Sequence, residues 1–153
     1  MYQQTSALSG YTRLDVRILG TLRESRIAFA SEAGETSVEP LALEIDPYDV
    51  ERALRNVSHA SGSYAKRSVG IDALDPIREI GGRLYARLFE GRRQIVYRRA
   101  LERADHSRKG LIICLHIEDP LIAALPWEFM HNGDDFCNLS PQTPIVRRYL
   151  RPD

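Results

Sequence analysis

The chain has 153 residues, of which 43% are hydrophobic, and its 21 basic and 21 acidic residues give a net charge of zero. The length suits one domain, and the composition is too hydrophobic and too neutral for a disordered chain. A neutral total excludes a whole-protein field that draws in nucleic acid or membranes, so we expect neither as a partner. Two cysteines without a metal or disulfide spacing, no leader-like start and no long apolar run together predict a cytoplasmic protein.

We predict one domain over residues 1–153 in three parts, of which the first, residues 1–46, is strand-rich. Apolar and polar side chains alternate from Tyr11 to Leu19 and from Val38 to Ile45, as in strands with one wet face. The segment from Arg26 to Ala30 is typical of a short strand between them. Together these segments predict a small antiparallel meander.

The second part, residues 47–109, is predicted to be helical. Asp46-Pro47 is typical of a helix start, with aspartate as the N-cap and proline at the first helical position. Residues Ser58 to Gly70 are rich in serine and glycine and predict a loop. The next helix is expected to start at Asp72 or at Asp75-Pro76, where the turn-forming residues end.

Two adjacent glycines, Gly81 and Gly82, interrupt this second helix. Each costs about 1 kcal/mol relative to alanine in a helix interior. The cost indicates either the close approach of another backbone element or a kink. A third helix is predicted from Gln94 to Asp105, where apolar residues recur at helical intervals.

The third part, residues 110–153, begins with a nearly continuous apolar run from Gly110 to Ile117. Its length and its branched side chains predict a central strand, which needs cover on both faces. A short apolar segment follows from Leu121 to Leu125, and an extended stretch is expected from Pro141 to Arg148. The overall expectation is therefore an α/β or α+β fold with an N-terminal meander, packed helices and one buried hydrophobic strand.

Charge is unevenly distributed along the chain. The segment from Ala30 to Glu51 has seven acids and no base, whereas the segment from Arg83 to Lys109 has nine bases and three acids. The simplest interpretation is two solvated faces in loose electrostatic balance. Pairing between the two segments, or contact of either with a partner, remains open.

The sequence offers two cysteine–histidine pairs, and neither predicts a catalytic site. Cys114 and His116 lie two residues apart on the predicted strand, so they share a face but are badly placed for proton transfer. His131 and Cys137 flank a loop, and we interpret them as a surface histidine and a half-buried cysteine. The four histidines show no zinc-binding pattern, so we expect no metal and no cofactor.

Four residues are predicted to form a structural latch. Trp127 is the single tryptophan, and an indole can bury 150–250 Å², a typical value for an anchor. Pro126 holds the residue before it in an extended conformation. Glu128 is an acid in apolar company that needs a partner, and Arg147 is the natural one. We expect these residues to hold the core together rather than to form an active site.

The order of segments from about Ile77 to Arg147 resembles the region that precedes the protease core in CHAT proteins, which are relatives of the caspases. In that family a Gly-x-Leu-Tyr-x-x-Leu-Phe helix precedes an apolar strand, an Asp-Pro turn, a Leu-Pro-Trp-Glu segment and a stretch that ends in arginine. The corresponding segments here are Gly82 to Phe89, Gly110 to Ile117, Asp119-Pro120, Leu125 to Met130 and Thr143 to Arg147.

The resemblance implies a partial caspase-like, or pseudo-caspase, unit. In the family the catalytic His and Cys lie further downstream, so it implies that this chain holds no catalytic residue. It implies a non-catalytic N-terminal portion or subunit of a CHAT-type cysteine endopeptidase, a hydrolase of bacterial defence or programmed death. Its expected partners are the protease half, in the same or a neighbouring polypeptide, and a helical-repeat or sensor protein.

Two other functions remain open. The first is a stand-alone interaction or adaptor protein with no protease half. The second is an enzyme that uses Cys137 and His131. The sequence does not identify the substrate of the associated protease, the activating ligand or the oligomeric state. We expect an edge or a face of this chain to be buried against a second polypeptide.

Overall fold

The computed structural model describes residues 10–61, 67–133 and 142–149, with side chains described over 10–55, 76–133 and 142–148. The elements in chain order are β1 (Tyr11–Gly20), β2 (Ser25–Ser31), β3 (Gly34–Glu35), β4 (Glu39–Leu41), α1 (Pro47–Ser61), α2 (Arg67–Leu88), α3 (Arg92–His106), β5 (Gly110–Ile117), α4 (Pro120–Ala123), a 3-10 helix (Trp127–Phe129) and β6 (Ile145–Tyr149). The predicted mixture of strands and helices is confirmed.

One mixed sheet of six strands organises the chain. The strand order is β3-β2-β1-β5-β6, and β4 also pairs with β2. The pairs of β2 are antiparallel, whereas β1 with β5 and β5 with β6 are parallel. The predicted meander is present, but the strand expected from Val38 to Ile45 covers only Glu39–Leu41. Leu43 and Ile45 lie outside it and are nevertheless buried in the core.

The helix bounds differ from the expected ones around the serine- and glycine-rich segment. Asp46 is the N-cap of α1, since its carboxylate accepts a hydrogen bond of 2.9 Å from the Tyr48 N–H. However, α1 continues to Ser61 and α2 already starts at Arg67, so the predicted loop from Ser58 to Gly70 is wrong on both sides of residues 62–66. Pro76 lies inside α2 rather than at its start, although an interior proline loses a helical hydrogen bond, crowds the carbonyl four residues earlier and costs about 3 kcal/mol.

The core lies on one face of the sheet, which we call the covered face. Alternate residues of three neighbouring strands point to this face and are buried there, namely Leu14, Val16 and Ile18 of β1, Ile27 and Phe29 of β2, and Leu111, Ile113, Leu115 and Ile117 of β5. They form one hydrophobic cluster with the buried side chains of α1, α2, α3, α4 and the 3-10 helix.

The opposite face, which we call the open face, carries the intervening residues. Its members on β1, β2, β5 and β6 are Arg13, Asp15, Arg17, Leu19, Arg26, Ala28, Ala30, Ile112, Cys114, His116, Val146 and Arg148. None of them belongs to the core cluster or packs against it. The strand β5 was expected to be covered on both faces. Its covered-face residues are buried, whereas on its open face Cys114 is buried and Ile112 and His116 are only partly buried.

Candidate functional site

The segment between β5 and β6 is built around Trp127. This side chain is 0% exposed, and its indole N–H donates a 2.9 Å hydrogen bond to the carbonyl oxygen of Ile122. The short helix α4 ends just before it, and Pro126 precedes the 3-10 helix. The indole therefore combines a large buried area with a satisfied donor, as a structural anchor requires.

Arg147 of β6 holds the segment between β5 and β6 against this strand. Its guanidinium pairs with the carboxylate of Glu128 and donates to the carbonyl oxygens of Ala123, at 2.8 Å, and Leu125, at 3.3 Å. The expected partner of Glu128 is therefore present. The side chains of Glu128 and Arg147 are 42% and 38% exposed, so this is a surface ion pair, worth at most about 1 kcal/mol.

Helix α2 contacts the segment between β5 and β6 at Gly81. A Cβ at Gly81 would collide with the carbonyl oxygen of Phe129, whereas one at Gly82 would have nothing within 4 Å. The His131 N–H also donates to the Gly81 carbonyl oxygen, at 3.1 Å. Of the two explanations predicted for the glycine pair, close approach therefore holds at Gly81.

Arg93 is a structural residue that the sequence patterns did not single out. Its side chain is 4% exposed and donates to the carbonyl oxygens of Leu88 and Arg87, both at 2.8 Å. It also donates to the carboxylate of Glu39, at 2.7 Å. One guanidinium thus ties together the end of α2, the start of α3 and β4. Its position two residues after Gly91, where one helix stops and another starts, was the available signal.

Pairing between the acidic and the basic segment was one of the open alternatives, and the structure contains it. Besides Arg93 with Glu39, Arg87 pairs with Glu44 at 2.7 Å and Arg103 lies 3.8 Å from Glu32. These contacts join the strand-rich part to α2 and α3. Three of the seven acids of the acidic segment are therefore paired with bases of the basic segment.

A small polar cluster lies at the centre of the open face. The carboxylate of Asp15 accepts hydrogen bonds of 2.8 Å from Arg13 and from Nε2 of His116. Burial raises the pKa of Asp15, but the hydrogen bonds from His116 and Arg13 outweigh it and hold the pKa below its usual value. The Arg13 side chain also interacts with Cys114. The Asp15 carboxylate is therefore charged and accepts two hydrogen bonds.

The described cysteine–histidine pair, Cys114 with His116, forms no catalytic dyad, and the pair of His131 with Cys137 is not described. Cys114 has a free thiol and is buried, while His116 bonds to Asp15. His131 accepts a hydrogen bond from the Gly133 N–H through Nδ1, and Cys137 lies outside the described residues. The same residues contain no group of three or more potential metal ligands. Over the described part of the chain, no helix combines the length and the apolar character that a membrane span needs.

The sequence has no match among protein-family models or curated proteins. The resemblance to CHAT proteins therefore depends on the quoted segments alone. What the structure adds is how these segments are arranged relative to one another.

Proposed function

We propose that this chain is the non-catalytic portion or subunit of a CHAT-type, caspase-like cysteine endopeptidase and that it scaffolds and regulates the protease half. The proposed setting is a bacterial defence or programmed-death system. The proposed partners are the protease half and a helical-repeat or sensor protein that signals to it.

The supporting observation is that the segments that carry the resemblance form one packed unit. The helix with the Gly-x-Leu-Tyr pattern, α2, contacts the 3-10 helix of the Pro-Trp-Glu segment through Gly81 and Phe129. The segment returns to the sheet at β6, where Arg147 pairs with Glu128. Segments that are far apart in the chain are thus neighbours in space, as expected of parts of a single motif.

The edge of the sheet is consistent with a scaffolding role. Strand β6 is the last strand on its side, and its outer edge has no partner strand among the described residues. Such an edge offers backbone N–H and C=O groups for pairing with another strand. We propose that a strand of the protease half continues the sheet there.

The test is to determine whether coding continues past Asp153, in frame or in the neighbouring gene, and to co-express that product with this chain. Hydrolysis of a fluorogenic peptide library is measured for each component and for the mixture. We expect the two to co-purify and only the mixture to cleave, with activity lost when a cysteine of the second product is replaced. Arg98→Glu on the exposed side of α3 is the control that should leave pairing unchanged.

The second candidate, a stand-alone adaptor, is favoured by the open face, which offers a surface for a partner without any protease half. A chain that stays monomeric and ignores the neighbouring product would support the adaptor over the protease subunit. Cleavage by this chain alone, lost in His131→Ala, would support the enzyme that uses Cys137 and contradict both.

A further inference from the structure

The open face has an apolar floor on its β5 and β6 side. Cys114 and Val146 are paired in register on these two strands, and Ile112 lies next along β5 on the same face. Val146 is 40% exposed, and none of the three packs against the core. Cys114 is only 4% exposed, with the Arg13 side chain against it. The floor therefore combines a buried thiol with two apolar side chains, Ile112 and Val146, that lie outside the core cluster and stay partly exposed.

Positive charge lies beside this floor, because Arg17 and Arg148 flank His116, the next open-face residue along β5 after Cys114. The side chains of Arg17, Arg26 and Arg148 are exposed and make no ion pair or hydrogen bond with the residues that the structure describes. The acid at the centre, Asp15, is already bonded to Arg13 and His116. Two other acids lie at the rims. Glu118 accepts a hydrogen bond from the Gly20 N–H, and Glu35 lies on β3, opposite Ala30.

The charge on this face restricts what can cover it. A second copy docked face to face would bring together two faces that each carry unpaired arginines, and like charges in an interface are costly. A partner that carries carboxylates next to an apolar stripe meets both features at once. On the covered face, helices form the second layer, and an amphipathic helix is the element that fits a sheet face in this way.

We propose that the open face binds an amphipathic helix of another polypeptide. Its apolar stripe covers Ile112 and Val146, and its acidic side chains pair with arginines of this face, Arg17 and Arg148 above all. The inference goes beyond the proposed function, because it concerns the face of the sheet rather than its β6 edge and applies equally to a protease subunit or an adaptor.

The probe is a pair of synthetic helical peptides of about 18 residues, which match the length of β5 at roughly 1.5 Å per helical residue and 3.3 Å per strand residue. Both have the same leucine stripe, flanked by glutamate in one peptide and by lysine in the other. Binding to the full chain is measured by fluorescence anisotropy. We expect the glutamate peptide to bind at least about tenfold more tightly than the lysine peptide.

Two variants locate the binding surface. The double charge reversal Arg17→Glu with Arg148→Glu should weaken binding of the glutamate peptide at least about tenfold. It should strengthen binding of the lysine peptide. The matched control, Arg98→Glu with Arg99→Glu on the exposed side of α3, should leave both affinities unchanged. Methyl NMR provides an independent readout. Signals of Ile112 and Val146 should shift on binding, and those of Ile113 and Leu115, on the covered face, should not.

Each other outcome overturns the proposal. The proposed helix-docking surface would be contradicted by equal binding of the two peptides or by no binding of either. It would also be contradicted by NMR shifts confined to the covered-face methyls. Dimerisation in sedimentation that the double reversal abolishes would identify a second copy as the occupant. Binding to phosphatidylserine vesicles without discrimination between the peptides would identify an anionic membrane instead.

Discussion

The two faces of the sheet show how differently one strand can be used on its two sides. On β5, Ile113 and Leu115 are fully buried under helices, whereas Ile112 and His116 on the opposite side are only partly buried and lie outside the core. The composition of β5 hardly distinguishes the two sides. The neighbouring strand β1 does, because Leu14, Val16 and Ile18 alternate with charged residues. The polar pattern of the neighbour, rather than the apolar run itself, indicates which face the core occupies.

The largest expected effect is on the covered side, at Trp127. We expect Trp127→Ala to lower the free energy of unfolding by about 3–5 kcal/mol, because a fully buried aromatic side chain is replaced by a cavity. Urea denaturation measures it. Trp127→Phe, which keeps an aromatic ring and loses the hydrogen bond to Ile122, should cost less. A Trp127→Ala chain that folds like the parent but no longer binds its partner would make this residue an interface anchor.

Two adjacent isoleucines test the comparison most directly. Ile113→Ala should cost about 2–5 kcal/mol, because it opens a cavity under the helices. Ile112→Ala, the same change on the open face, should cost less than about 1 kcal/mol. Both are measured by urea denaturation of the isolated chain. Similar losses at the two positions would show that the open face is covered even in the chain alone.

Alanine substitution at the two adjacent glycines of α2 should change the stability of the protein in opposite directions. Gly81→Ala is expected to destabilise by about 1–3 kcal/mol, because the new Cβ collides with the Phe129 carbonyl. Gly82→Ala has open space and should stabilise the helix by about 0.5–1 kcal/mol. Thermal denaturation of the two variants checks the prediction. A stabilised Gly81→Ala variant would contradict the close packing of α2 on the 3-10 helix.

The smallest expected effect concerns Asp15 on the open face. Its pKa is lowered in the folded chain, so its contribution to stability is present above the unfolded value of about 3.9 and is lost as the pH falls through the folded value. Asp15→Asn should therefore flatten the pH dependence of unfolding below about pH 4. The change should stay under about 1 kcal/mol, because the pair is partly exposed. His116→Asn should reproduce part of it, and an unchanged pH profile in Asp15→Asn would contradict this account.

The sequence predicts elements whose signals are local and fails where the signal is a contact at long range. The bounds of β5 follow from its apolar run, and the start of α1 follows from Asp46, which caps it. The loop predicted from Ser58 to Gly70 was wrong on both sides of residues 62–66 because serine and glycine were counted as breaks, although a helix tolerates each of them at a cost of about 1 kcal/mol or less.

For the candidate site, the sequence suggested Glu128 with Arg147 from their chemistry, and that pair is present. It could not predict how exposed the pair is, since exposure depends on what packs around it. Arg93 was missed because nothing local distinguishes a buried arginine from its exposed neighbours in a basic segment. The parallel pairing of β1 with β5 was equally invisible, because no feature of either strand specifies a partner about a hundred residues away.

The same pairing has a consequence for how the chain is made. The Gly20 N–H at the end of β1 donates a hydrogen bond to Glu118, at a separation of 98 residues, so the central strand pair of the sheet joins two segments that are far apart in the chain. During synthesis at roughly 5–20 residues per second, β1 waits about 5–20 s before its parallel partner exists. Throughout that interval the inner edge of the β1–β2 hairpin lacks the neighbour it has in the finished sheet. Correct assembly therefore depends on late contacts, which slow folding.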